Sequence, residues 1–288
     1  MPSTDADPRT YVVTGSASGI GQATAQRLAA DGHRVLGADL RDADIEADLA
    51  TAEGRARLVT EVTERSDGLV DGVIACAGVL AASALTVHVN FFGAVATLEG
   101  LRPLLERSAA PAAVTVASIA VLQPYLGPVA ERCLADDEAG AAAAADAAAA
   151  EGADRGVIYA ATKRALAHWL RAAAVRPEWA GAGIPLNAVA PAITTTAMMA
   201  PGLADPGARA RLLEHVPMPL GGPMPADHPA ALLAWLAGPE NRAVTGQVLF
   251  VDGGHEAATR TGFDPWPAPE AGPDGGVFAA IRGTSSAP

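Results

Sequence analysis

Tyr159 and Lys163 stand four apart in the stretch GVIYAATKRALAHWL. On a helix this spacing stacks both side chains on one face, the lysine one turn beyond the tyrosine. A free phenol titrates near about 10 and is a poor proton donor or acceptor at neutral pH, whereas a nearby ammonium favours the phenolate and lowers that value. The pair is therefore a candidate acid–base group for a carbonyl or an alcohol. The same spacing also occurs on ordinary surface helices whose lysine lies along the helix with its amine in water. What decides between the two is the company the pair keeps.

That company begins with Thr14-Gly15-Ser16-Ala17-Ser18-Gly19-Ile20-Gly21, which follows the apolar run Tyr11–Thr14 and opens a helical stretch. Its glycines allow a tight turn and a close approach of backbone to phosphate, and the N–H groups of the helix start attract negative charge. The spacing is GxxxGxG, and the strand–turn–helix context is met. Asp39 closes the second apolar run, Arg34–Ala38. Its carboxylate can accept hydrogen bonds from an adenosine ribose and would repel a 2′-phosphate, which predicts NAD rather than NADP. Arg41, two residues on, softens that preference, and an ordinary turn aspartate is the bland alternative.

The elements that must position these groups alternate. Tyr11–Thr14, Arg34–Ala38, Leu69–Cys76, Ala113–Ala117, Ile184–Ala190 and Gln247–Val251 read as strands. Between them lie helical stretches: one ending at Asp31-Gly32, then Thr51–Arg65, Thr86–Arg107 with a bend at Pro103, Gly156–Arg176 and Ala226–Ala237. Short strands alternating with helices predict an α/β fold, a Rossmann-type doubly wound parallel sheet of about seven strands. The expected organisation is a flexible N-terminus over 1–9, one dehydrogenase-like domain over 10–258 and a mobile tail over 259–288, in which Phe263 or Trp266 could act as anchors. A helical insertion at about 126–155 precedes the tyrosine. Its Ala-rich, acid-dotted part, Glu131–Glu151, predicts one or two extra helices. Such a helix hides little apolar area by itself, so packing against a second subunit is expected, with a disordered linker as the alternative.

Composition sets the outer limits. The net charge of −12 over 288 residues argues against nucleic acid or an anionic membrane as partner. Cys76 and Cys133 cannot form a disulfide framework, which fits a reducing, cytoplasmic setting. The acidic start MPSTDADPRT has no apolar core of a signal peptide, and no apolar run reaches the length of a membrane span. No metal site is expected: His88 and His168 read as packing or surface residues, and His215, His228 and His255 lack ligand spacing.

Taken together, the chain resembles the short-chain dehydrogenase/reductase superfamily over roughly residues 10 to 257. Thr14–Gly21 matches that family's TGxxxGxG turn, and Cys76-Ala77-Gly78 stands where it usually has Asn-Ala-Gly. Asn90 (in VNFFGA), Ser118, Tyr159 and Lys163 fall at its catalytic tetrad. The stretch GHRVLGADLRDADIEADLATAEGR, the CAG variant, VNFFGA and the long insert are similar to the bacterial 3α-hydroxysteroid dehydrogenase/carbonyl reductase branch. In that branch the insert contributes to a dimer contact, so a homodimer or homotetramer is implied. The resemblance implies cofactor contacts by Gly15, Ser16, Ser18, Gly19, Ile20 and Gly21 at the turn, and by Asp39, Leu40, Asp48 and Leu49 around the adenosine. Cys76, Ala77, Gly78, Tyr159, Lys163, Pro191, Ile193, Thr194 and Thr196 would complete the site. Pro191-Ala192 departs from the family's Pro-Gly: the alanine adds a methyl and removes positive-φ freedom.

The implied chemistry is hydride exchange with the cofactor. Ser118 would polarise the substrate oxygen, Tyr159 would move the proton, Lys163 would lower the tyrosine pKa and hold the ribose, and Asn90 would hold a relaying water. Met198 and Met199 suit an adaptable apolar pocket, to which Leu122, Pro124, Tyr125, Leu203 and Leu212 could add. The leading expectation is an NAD(H)-dependent enzyme interconverting a secondary alcohol and a ketone on a cyclic or steroid-like small molecule. The alternatives are a dehydrogenase for another cyclic substrate, such as a dihydrodiol or a secondary-metabolite ketone, and a catalytically silent dinucleotide-binding sensor.

Overall fold

Strands buried on both faces need helices on both faces, and the chain supplies one or more between successive strands everywhere except between its second and third strands. The computed structural model describes residues 8–260. Its sheet contains β1 (Thr10–Thr14), β2 (Arg34–Asp39), β3 (Ile45–Glu46), β4 (Gly72–Ala75), β5 (Ala112–Val116), β6 (Leu186–Pro191) and β7 (Val248–Val251). All pairings are parallel, in the order β3-β2-β1-β4-β5-β6-β7. Every residue of β4 and β5 is buried, as expected for central strands covered on both sides. Because the order reverses between β1 and β4, a crevice opens above the carboxyl ends of these two strands.

One face of the sheet carries Tyr11, Val13, Ile74, Val114 and Val189 against α1 (Gly19–Ala30) and the helix Asp227–Ala237. The other carries Val12, Val73, Ala113 and Leu186 against α2 (Ala52–Arg65) and two longer helical stretches. The first of these runs continuously from Ala84 to Leu105 as α3 (Ala84–Val87), a π-helical segment (His88–Gly93) and α4 (Ala94–Leu105). Pro103 sits in its last turn, and the irregularity lies in the π segment. By length and composition this 22-residue stretch, unlike the shorter apolar runs expected from sequence, could cross a bilayer, but 61% of its 18-residue apolar window is buried inside the fold, as in a core helix.

The insertion folds as α5 (Gly127–Leu134) and α6 (Glu138–Ala150), ahead of α7 (Arg155–Ala173). These build a separate apolar cluster in which Ala141 and Ala145 of α6 are fully buried beside Val87, Phe91, Cys133 and Ile158. The alanines therefore do hide area within the chain, because their small side chains let α6 lie close on α3 and α5. After β6 come α8 (Ala200–Ala204) and α9 (Pro206–His215), then α10 (Asp227–Ala237) and, beyond β7, α11 (His255–Thr259). The expected anchors Phe263 and Trp266, and residues 1–7, lie outside the described residues.

Candidate active site

The glycine turn sits at the end of β1 and is shaped by close backbone approaches. A methyl on Gly15, whose φ is +69°, would lie 2.9 Å from the Ala77 Cα, and one on Gly21 would lie 2.1 Å from the Gly15 carbonyl oxygen. The Thr14 hydroxyl accepts hydrogen bonds from the Cys76 and Ala77 N–H groups, both at 3.1 Å, and so ties the turn to the end of β4. Ser18 caps α1 in extended conformation without bonding its side chain to the helix N–H groups, and no acidic residue occupies the first turn. That leaves an electropositive helix start facing the crevice, a fit for a pyrophosphate. Beside it, Asp39 accepts from Ala17 N–H at 3.0 Å through one oxygen and from Leu40 N–H at 2.7 Å through the other. These bonds fix the plane of the carboxylate at the rim of the crevice. The residues present therefore fit an adenine dinucleotide.

The acid–base groups gather on the other side of the turn. Tyr159 stands beside Ser118, whose hydroxyl acts to lower the phenol's pKa and which caps a 3₁₀ turn (Ile119–Leu122) by accepting from Ala120 N–H at 3.1 Å. Lys163 is 3% exposed; its amine donates to the Val116 carbonyl at 2.7 Å and lies 5.7 Å from the centre of the Tyr159 ring. Burial pushes Tyr159 up to about 12, the Ser118 hydroxyl pulling the other way. This reverses the expected direction: the lysine amine is committed to Val116 and does not meet the phenol oxygen, so desolvation wins. Burial likewise pulls Lys163 down to about 8. At neutral pH the phenol thus carries its proton and the amine is mostly charged. Asn90 lies in the π segment, fully buried, accepting from Val79 N–H at 2.8 Å and donating to the Val79 carbonyl at 2.9 Å. A π turn of this kind is frequent at functional sites. Gly78 lets the backbone pass close to both groups: a methyl there would lie 3.3 Å from Asn90 Oδ1 and 3.6 Å from Lys163 Nζ.

The crevice is a cleft of about 400 Å³. It is lined by Gly15, Ser18, Gly19, Ile20, Gly21, Asp39, Leu40, Asp48 and Leu49 on the β1–β3 side. Cys76, Ala77, Gly78, Ser118, Tyr159, Lys163, Pro191, Ile193, Thr194 and Thr196 line the remainder. Two expected residues stand behind this lining. Ser16 turns away, its hydroxyl against Gly37 of β2, and Asn90 acts from behind the wall through Val79. Met198, Met199 and Leu212 do line the cleft, but Leu122, Pro124, Tyr125 and Leu203 do not. The 3₁₀ turn rotates Leu122 onto the main core, the Arg164 guanidinium lies 4.7 Å from the Tyr125 ring, and Leu203 packs near Ile193 and Met218. Ala192 carries no positive φ, since its N–H donates to Val251 and continues the β6–β7 ladder, so the methyl is accommodated without strain. Sequence reading missed Leu85, Val89, Gln123 and Val216 in the lining, and Thr162, whose hydroxyl lies 3.4 Å from Asn90 Nδ2. Among the described residues no group of three His, Cys, Asp or Glu side chains could hold a metal.

Comparison with known proteins gives this geometry a family. The profile described as short chain dehydrogenase matches residues 9–130, and one described as Enoyl-(Acyl carrier protein) reductase matches residues 129–256. A 3-alpha-hydroxysteroid dehydrogenase/carbonyl reductase of Comamonas testosteroni is 35% identical over 254 residues, spanning 86% of this chain and 97% of the relative. The chain belongs to the short-chain dehydrogenase/reductase family. Among solved structures, the 3-alpha-hydroxysteroid dehydrogenase of Pseudomonas sp. B-0831 complexed with NADH superposes with a TM-score of 0.79 at 41% identity, covering 88% of this chain and 100% of the other. Levodione reductase superposes at 0.68 with 26% identity, covering 87% and 98%. The family's cofactor is NAD(H) or NADP(H), and the seven-stranded parallel sheet is its Rossmann-type fold.

Within that family, the bound dinucleotide supplies or accepts a hydride at its nicotinamide ring. The chain's own residues are placed where they could handle the proton and the charge. Ala120 N–H occupies one face of the Ser118 oxygen, which orients the hydroxyl toward Tyr159 and the cleft. A substrate oxygen placed there meets two hydroxyl donors, which stabilise negative charge as it develops. The protonated phenol can deliver its proton to that oxygen and take it back in reverse. The Lys163 amine, bonded to the Val116 carbonyl, stands 5.7 Å from the centre of the ring that carries the phenolate left behind.

Proposed function

We propose that the protein is an NAD(H)-dependent oxidoreductase that interconverts a secondary alcohol and a ketone on an uncharged cyclic, steroid-like substrate. The observation that carries this reading is the distribution of charge in the cleft. Its only charged lining residues among those described are Asp39, Asp48 and Lys163. The wall around Met198 and Met199 is largely apolar, with Ile119, Leu212 and Val216 also lining the cleft and Gln123, Thr194 and Thr196 among its uncharged polar side chains. A carboxylated or phosphorylated substrate would find Lys163 as the one cation of the lining, its amine already bonded to the Val116 carbonyl, and would lose most of its hydration uncompensated. Asp39 supports NAD, because a 2′-phosphate would have to sit against its fixed carboxylate. The hydroxysteroid dehydrogenases of C. testosteroni and Pseudomonas support the substrate class, and the NADH in the latter supports the cofactor. Likeness to levodione reductase and to plant tropinone reductase homologues keeps a smaller cyclic ketone as the second reading.

The test is turnover of purified protein with NADH or NADPH on a panel of neutral steroid ketones, smaller cyclic ketones and carboxylated analogues. We expect NADH oxidation with the neutral compounds. Turnover with NADPH alone would overturn the assignment of Asp39, and preference for carboxylated analogues would overturn the substrate class. Tight dinucleotide binding without any turnover would mark a sensor. A cytoplasmic location and self-association belong to the same proposal. The two thiols are unpaired, and α6 leaves Ala139, Ala143 and Ala147 exposed as a flat face for a second copy.

A further inference from the structure

The loop that follows β3 forms the cleft wall beside Asp39, and its shape is imposed from outside the cleft. Ala47 N–H donates to the Asp39 carbonyl, so Asp48 and Leu49 emerge next to that carboxylate. Three constraints then converge on Leu49. A methyl on Gly54 of α2 would overlap the Asp48 carbonyl at 2.0 Å, and one on Gly93, at the end of the π segment, would lie 3.1 Å from Leu49 Cβ. Both glycines therefore let helices press onto the loop. The third constraint is Arg55, whose Nε donates to the Leu49 carbonyl at 2.8 Å.

Arg55 does more than hold one carbonyl. Its Nη2 donates to the His88 carbonyl at 3.1 Å, two residues before Asn90. Both terminal nitrogens grip Glu138 of α6, at 2.8 and 2.6 Å. Glu138 Oε1 also lies 2.6 Å from His88 Nδ1, and Asp146, two turns further along α6, accepts from Ala84 N–H at 2.6 Å at the start of α3. The Arg55 side chain is 13% exposed. A planar fork with five donors is the one side chain able to bond three elements at once, which an ammonium cannot do. The bidentate carboxylate fixes the plane of the fork, and the fork fixes the loop.

We propose that Arg55 is a positioning residue for the adenine half of the dinucleotide site, and that the insertion helix α6 serves this site by orienting Arg55 through Glu138. The inference rests on the dinucleotide reading above. It gives the insertion a task inside one chain, separate from any contact between copies.

The experiment measures affinity for NADH and for AMP by titration, alongside turnover with reduced nicotinamide mononucleotide, which lacks the adenine half. Arg55→Ala should weaken both NADH and AMP by about tenfold, the scale of losing a buried charge-assisted hydrogen bond, and leave turnover with the mononucleotide unchanged. Glu138→Gln, which keeps one acceptor, should weaken AMP by about threefold in the same pattern. Arg55→Lys should fall with Arg55→Ala, because charge without the fork does not reach Leu49 and His88 together. Should Arg55→Ala fail to fold by circular dichroism, Glu138→Gln carries the same comparison. Unchanged AMP affinity in the variants, equal losses for AMP and the mononucleotide, or full rescue by lysine would each overturn the inference. Wild-type protein that binds neither NADH nor AMP would overturn it together with the dinucleotide reading, whereas normal wild-type binding with unaffected variants defeats the positioning role alone.

Discussion

Gly21→Ala separates helix propensity from backbone crowding at the cofactor turn. Gly21 lies in the first turn of α1, and alanine is the better helix former by about 1 kcal/mol. A sequence-only argument would therefore predict stabilisation. The structure predicts the reverse, because the new methyl would lie 2.1 Å from the Gly15 carbonyl oxygen and 2.7 Å from its carbon. Those atoms are backbone, held in a turn that is itself fixed by the approach of Gly15 to Ala77. Relieving the overlap requires α1 to move off the turn by about 1 Å, against its packing on α10. Overpacking of this kind costs about 3 kcal/mol when the neighbour cannot rotate away. The net loss of about 2 kcal/mol corresponds to a melting temperature lowered by roughly 4–8 °C for a domain of this size. Because the helix start and the Gly15 loop both line the phosphate end of the cleft, NADH affinity should fall by about tenfold or more. Thermal unfolding and a fluorescence titration with NADH measure the two effects. A Gly21→Ala protein with a raised melting temperature and unaltered NADH affinity would refute the crowding argument.

Two further outcomes follow from the acid–base group. Tyr159→Phe should cut turnover by about 10²–10⁴ while leaving NADH affinity close to wild type, since only the proton path is lost; near-normal turnover would remove Tyr159 from its role. Burial lowers Lys163 to about 8 from an ordinary 10.5, so the unfolded chain binds a proton that the folded chain releases between these values. The cost of burying the charged amine is therefore full below about pH 8 and is relieved as pH rises toward about 10. The melting temperature of Lys163→Met relative to wild type should accordingly be most favourable near neutral pH and decline across that window, and a difference independent of pH would contradict the burial argument.

What the sequence determined by itself was the part written in local pattern. Apolar runs of strand length alternating with helical stretches suffice for a doubly wound parallel sheet, because burial on two faces and a right-handed crossover leave few other arrangements. The Thr14–Gly21 turn, Asp39 at a strand end and the four-residue spacing of Tyr159 and Lys163 were equally legible, since each depends on neighbours within one or two elements. β3 escaped notice because two residues carry no period, and the π segment because Val89 to Gly93 are all buried, so no polar face marks where the extra residue enters the turn. Tertiary structure alone decided the rest. It set the direction of the Tyr159 shift, because desolvation depends on everything packed around the ring. It turned Ser16 toward β2 and Leu122 onto the core, and it let Ala192 extend a strand ladder at the position where the family's glycine would have had positive-φ freedom. It also joined Arg55 to Glu138 across 83 residues of chain, a contact with no signature in either segment. A carboxylate and a guanidinium are ordinary surface residues until the fold withdraws water from between them and leaves each the other's partner.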